Sequence, residues 1–133
     1  MNRLAVVLMC LALAGCGTAS SQTKTVDPGT DVVLAPGQTA AVMAAPMSVR
    51  FIAVTEDSRC PRDTTCVWAG QVKLALEIQQ FSQPAWQVEM LEGDRKVAGG
   101  YRVTLVRVDP QRARAARIAP GDYRATLAID KVD

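Results

Sequence analysis

Histidine is absent from the 133 residues, and that absence removes a great deal of chemistry. No imidazole can serve as general base, so Ser-His-Asp and Cys-His nucleophile systems are excluded, as is nearly every catalytic zinc site. Ser20, Ser21, Ser48, Ser58 and Ser82 have no partner to activate them, and no S-x-x-K pattern accompanies them. Aromatic residues are scarce, two each of Trp, Tyr and Phe. Neither sign of charge dominates: the net charge is +2, so no global field recruits nucleic acid or steers an anionic substrate. A glycine-rich phosphate loop is missing as well, because Gly99-Gly100 precedes a strand-like segment and not a helix. No cofactor or metal is expected from this inventory. What remains is an apolar content suited to one globular domain.

The N-terminal segment carries the most specific pattern. Met1-Asn2-Arg3 supplies one positive charge, and Leu4–Leu13 is an apolar run of ten residues. That run is too short to span a hydrocarbon core of roughly 30 Å, yet it suits a secretory h-region. Leu13-Ala14-Gly15-Cys16 follows. Small residues just before a cysteine resemble the lipobox of bacterial lipoproteins, in which a peptidase cuts before the cysteine and its thiol carries a diacylglycerol. The resemblance implies a leader over 1–15, acylation of Cys16, and a bilayer as the first partner. Several acyl chains on one residue anchor a protein essentially permanently, each buried methylene contributing about 0.8 kcal/mol. Gly17 in place of Asp implies sorting to the outer membrane, facing the periplasm, in a double-membraned bacterium. Residues 16–30 are small and polar, without apolar periodicity, and are expected to form a flexible tether. The folded domain is expected over 31–133.

Of the four cysteines, Cys10 leaves with the leader and Cys16 is acylated, which leaves Cys60 and Cys66. Two thiols exported to an oxidising compartment and this close in sequence are expected to pair, making Pro61–Thr65 a stapled loop.

The body reads as strands. Val72, Leu74, Leu76 and Ile78 alternate with polar or small residues, as do Tyr123, Ala125, Leu127 and Ile129, and Trp86, Val88 and Met90. Turn signals punctuate these runs at Pro28-Gly29, Pro36-Gly37, Gly93-Asp94, Gly99-Gly100 and Pro120-Gly121. Only Arg112–Arg117 has the makings of a helical turn. The expectation is an all-β fold: an antiparallel sandwich or flattened barrel of about seven strands. Two segments change phase at the same step, Val49, Phe51 giving way to Ile52, Val54, and Val103, Leu105 giving way to Val106, Val108, as a β-bulge would require. Gly70–Ile78 also lies over Gly121–Ile129, and Leu34-Ala35-Pro36-Gly37 over Met90-Leu91-Glu92-Gly93. These matches point to a degenerate duplication with halves near 31–80 and 84–133.

Asp57-Ser58-Arg59-Cys60-Pro61, followed by Cys66, Trp68 and Gly70, resembles a signature of small uncharacterised exported bacterial proteins. That group has no established activity, so the resemblance implies architecture and leaves function open. In a structural role, Asp57 and Ser58 accept backbone N–H bonds, Trp68 covers the disulfide, and Gly70 permits close backbone approach. In a binding role, Arg59, Arg62, Asp63 and Trp68 form an exposed, rigid recognition tip. A calcium site using Asp57 and Asp63 is a further alternative.

The second candidate region, Arg112, Arg114 and Arg117, lacks an acid and suits anionic headgroups, lipopolysaccharide phosphates or cell-wall carboxylates; its alternative is a solvated loop. The expected role is a non-catalytic binding or structural module of the envelope, of unidentified ligand, with a protein or an anionic envelope polymer as candidate partners. Two rivals are an inhibitor of an envelope hydrolase acting through the stapled loop, and a hydrolase using Glu56, Asp57 or Asp63 as acid and base.

Overall fold

In β5 (Val72–Gln80) every second side chain, Val72, Leu74, Leu76 and Ile78, is almost fully buried while the residues between them are half exposed. Strict alternation of this kind places a strand with one face on a core and the other toward water. The computed structural model, which describes residues 21–133, extends the pattern to nine strands. Besides β5 they are β1 (Thr23–Val26), β2 (Asp31–Leu34), β3 (Thr39–Val42), β4 (Met47–Asp57), β6 (Trp86–Leu91), β7 (Arg95–Ala98), β8 (Tyr101–Asp109) and β9 (Arg124–Lys131). They form a five-stranded sheet, β1-β3-β4-β5-β6, and a four-stranded sheet, β2-β9-β8-β7. One apolar cluster lies between them, with Phe51, Leu74, Leu76 and Met90 from the first sheet and Leu34, Leu105, Leu127 and Ile129 from the second. The expected all-β sandwich is what the chain adopts, with nine strands among the described residues in place of about seven, because short edge segments such as β1 and β7 carry too few apolar residues to show a period.

The two segments matched in sequence pair in equivalent ways. Val49 faces Ile78 and Phe51 faces Leu76 across β4 and β5, as Val103 faces Ile129 and Leu105 faces Leu127 across β8 and β9. Met90 pairs with Leu74, and its counterpart Leu34 pairs with Ala125, the counterpart of Leu74. Turn hydrogen bonds repeat as well: Gly37 N–H donates to Phe51 O at 2.7 Å and Gly93 N–H to Leu105 O at 2.8 Å. The first strand of each half joins the sheet of the other, β2 beside β9 and β6 beside β5.

Both phase changes are bulges, with register shifts between Phe51 and Ala53 and between Leu105 and Arg107. The extra residues are Ile52, half-buried, and Val106, 44% exposed. The inward series therefore resumes at Val54 and Val108, and not at Ile52 and Val106 as the alternation suggested.

Two further details depart from the sequence reading. The polar stretch Thr23–Val26, expected within a flexible tether, is a strand paired in parallel with β3. Its short polar side chains gave no alternation signal because an edge strand needs one inward contact, here Val26. Arg112–Arg117 is not a helical turn: Ala113 and Ala116 form an isolated antiparallel bridge around a tight turn. A 3-10 turn follows at Pro120–Asp122.

Candidate functional site

Strands β4 and β8 both run toward the same end of the sandwich, and the two longest loops, 58–71 and 110–123, meet there. The contact is polar and specific. Arg62 N–H donates to Arg112 O at 2.9 Å, Arg114 N–H donates to Asp63 Oδ1 at 2.9 Å, and Arg112 Nη1 donates to Arg59 O at 3.2 Å.

Arg59 sits at the centre of this junction. Its Nε and Nη2 donate to the two oxygens of Asp57 at 2.8 and 2.7 Å, a bidentate pair in which both side chains are about nine-tenths buried. Nη1 donates to Val108 O at 2.7 Å and Nη2 also to Pro110 O at 3.1 Å, so one guanidinium joins the first loop to the second. Tyr123 completes the network by donating its hydroxyl to Asp57 Oδ2 at 3.0 Å. Burial by itself pushes the Asp57 pKa up, but the hydrogen bonds from Arg59 and Tyr123 and the guanidinium charge outweigh it, and the carboxyl stays below its ordinary range. The hydrogen bond to Asp57 raises the Arg59 pKa against the opposing effect of burial. Tyr123 is raised too, by burial first and then by its bond to Asp57.

The stapled loop is ordered by its own short-range bonds. The Cys60–Cys66 disulfide closes it, with Cα atoms 5.9 Å apart. Ser58 Oγ accepts Gln71 N–H at 3.1 Å, and Cys60 N–H donates to Ala69 O at 2.9 Å. Gly70 has φ +67°, and a Cβ there would overlap the carbonyl of Ser58, so glycine is required on both counts. The roles expected of Asp57, Ser58 and Gly70 as turn-forming residues are those the structure gives them.

Two expectations for this loop fail. Arg59 is not part of an exposed tip: it is 8% exposed, because a guanidinium with two carboxylate bonds and two carbonyl bonds is satisfied inside the junction. Trp68 does not cover the disulfide: it is 81% exposed, and Val67 beside it is 93% exposed. Both lie between Cys66, held by the disulfide, and Ala69, whose carbonyl accepts the Cys60 N–H, so these two exposed apolar side chains stand on a backbone tied down on either side. Arg62 and Asp63 are exposed as expected.

Arg112, Arg114 and Arg117 are exposed and line one open cleft of about 810 Å³, together with Glu56, Asp57, Pro61, Ile118 and Tyr123. Among the described residues none of the three has a salt bridge, whereas Glu56 is 3.6 Å from Lys73 and Asp57 is held by Arg59. The carboxylates of this wall are thus already matched, and the cleft presents unmatched positive charge. The alternative calcium ligands are engaged separately, Asp57 by Arg59 and Tyr123, Asp63 by the Arg114 amide. Cys16, the expected acylation site, lies outside the described residues.

Sequence reasoning missed the Tyr123 hydroxyl, Val67, and Glu92, whose carboxylate accepts the Val108 N–H beside the β8 bulge at 2.9 Å. For Tyr123 the signal was half visible, since its place in an inward series was clear but its partner lies 66 residues away. Comparison with protein-family models, curated proteins and solved structures finds no match.

Proposed function

We propose that this chain is a lipid-anchored, non-catalytic binding module of the bacterial envelope, and that the joined loop end is its recognition surface. One observation carries the reading: Val67 and Trp68 stand almost fully exposed on a loop fixed by a disulfide and a buried ion pair. Exposed apolar side chains on mobile loops are ordinary, but on a rigid loop they lose little conformational entropy on contact, which favours binding. Trp and Arg are the residue types that most often dominate interface energetics, and Arg62, Arg112, Arg114 and Arg117 share this end. The lipobox-like Leu13-Ala14-Gly15-Cys16 supports the anchor.

Photo-crosslinking in cells from position 62 or 68 should capture an envelope component, and a matched position on the outer face of β5, such as Glu77, should not. Equal capture from both positions would remove the assignment. Cys16→Ser should shift the protein out of the membrane fraction, and unchanged fractionation would contradict the anchor.

The inhibitor reading keeps support from the same protruding loop. Under it, alanine at Arg62 or Trp68 abolishes inhibition of a target hydrolase while the domain stays folded. The carboxylate-hydrolase reading loses Asp57 as its acid: both oxygens of Asp57 accept bonds from Arg59, and its lowered pKa is opposite to what a general acid requires.

A further inference from the structure

We infer that the loop end docks on the anionic phospholipid surface of the bilayer in which the chain is anchored, with Val67 and Trp68 entering the interface and Arg112, Arg114 and Arg117 taking lipid phosphates. The inference rests on the reading that this end is the recognition surface and that Cys16 is acylated.

Chain direction is the first argument. Strand β4 runs toward the loop end, β3 is antiparallel to β4, and β1 is parallel to β3. The polypeptide therefore enters β1 from the side of the loop end and runs away from it. Ser21 and Gln22, the first described residues, sit beside Gly37 and Gln38 on that side. Thr23 follows Cys16 by seven residues, and covalent geometry limits such a segment to about 25 Å. An acylated Cys16 thus keeps the domain close to the bilayer with this end on the approaching side.

Chemistry is the second. A bilayer offers a hydrocarbon boundary beneath a layer of phosphates, and the joined loops offer two adjoining exposed apolar side chains on one and, on the other, a cleft lined by three arginines that have no salt bridge among the described residues. Tryptophan favours the headgroup boundary, where its ring is apolar and its N–H is wet. Arginine suits phosphate through its planar fork of donors. Of the acidic groups at this end, Asp57 is bound by Arg59 and Glu56 lies near Lys73; Asp63, which accepts the Arg114 amide, and Asp122 keep their charge but are outnumbered by Arg62, Arg112, Arg114 and Arg117. Anchoring adds an effective-concentration term, since a weak second contact within reach of the first is an intramolecular event.

The test uses the acylated protein reconstituted in vesicles of phosphatidylcholine alone or of phosphatidylcholine with phosphatidylglycerol. Trp86→Phe leaves Trp68 as the single tryptophan, and intact mass confirms acylation of Cys16. With phosphatidylglycerol present, Trp68 emission should shift to the blue, lose quenching by iodide and gain quenching by brominated lipid. Combined Arg112→Gln, Arg114→Gln and Arg117→Gln should abolish these changes while the protein stays anchored and its circular dichroism is unaltered. Inorganic phosphate added without vesicles should not reproduce them; a shift with phosphate alone would assign the cleft to a soluble anion and overturn the lipid docking. Trp68 that stays wet in both membranes would also overturn it. If crosslinking from position 68 then captured a protein or polymer, the recognition surface would stand with a different partner. Absence of acyl groups on Cys16 would instead defeat the anchored module itself.

Discussion

Asp57 and Arg59 hold the two loops together at the cost of placing two charges out of water. Such a pair adds little net stability over an apolar replacement, but removing one member leaves the other buried and unmatched. Asp57→Asn should destabilise the domain by about 3 kcal/mol, the lower end for breaking a buried pair, as read from urea midpoints at neutral pH. The pH dependence has a definite sign. Because the folded-state pKa of Asp57 lies below its ordinary 3.8, its contribution is complete above that value and is lost as pH falls through the lower folded value. Wild-type stability and that of Asp57→Asn should therefore draw together only as pH falls below 3.8 and on through the lower folded value. Tyr123 acts at the other extreme: its pKa is raised from 10.0, so its hydrogen bond contributes fully below that value and is lost as pH rises through the folded one.

Among the elements, β1 breaks the internal symmetry. It covers the outer edge of β3, whereas among the described residues the corresponding edge of β7 has no strand beside it. The two edges differ in sequence in the way this requires. Strand β3 is Thr39-Ala40-Ala41-Val42, short side chains that a neighbouring strand can approach, and β7 is Arg95-Lys96-Val97-Ala98, with cations at its start. Charged residues on an open edge discourage pairing with other chains. Arg95→Thr combined with Lys96→Val should leave thermal stability within about 0.5 kcal/mol but raise the rate of concentration-dependent aggregation, measured by light scattering. An unchanged aggregation rate would show that Val97 and the brevity of the strand suffice as protection. The parallel pairing of β1 could not be read from Thr23–Val26, because four mostly polar residues carry no period and the partner strand is chosen by packing.

At the scale of the whole molecule, the halves are interlocked. Strand β2 depends on β9 for its ladder and β6 depends on β5, and the core draws on both sheets. Neither 21–80 nor 84–133 should fold alone, and each should give a disordered far-ultraviolet spectrum. Mixing the two fragments should restore β structure, because every missing edge is supplied by the other fragment. A folded single half would refute the interlocking. Bulges at equivalent positions, Ile52 and Val106, interrupt both hairpins, with a further register shift between Val54 and Glu56 in β4 alone, and loops 58–71 and 110–123 meet at one end.

The sequence alone determined the features that depend on local pattern. Period-two alternation in Val72–Ile78 and Tyr123–Ile129 named the inward residues, the phase changes located both bulges, and matched segments pointed to strands that pair in equivalent ways. Counting cysteines paired Cys60 with Cys66, and glycine beside Trp68 marked a close backbone approach. Tertiary structure alone decided which polar groups are buried and which apolar ones are not. Arg59 is inside because Val108 and Pro110, distant in the chain, offer their carbonyls, whereas Trp68, between Cys66 and β5, stands 81% exposed. Arg112, Arg114 and Arg117 line one cleft because a second loop meets the first, an encounter fixed by topology. Local periodicity records the side of a strand that meets the core, while long-range contacts determine which loops share an end and what they satisfy there.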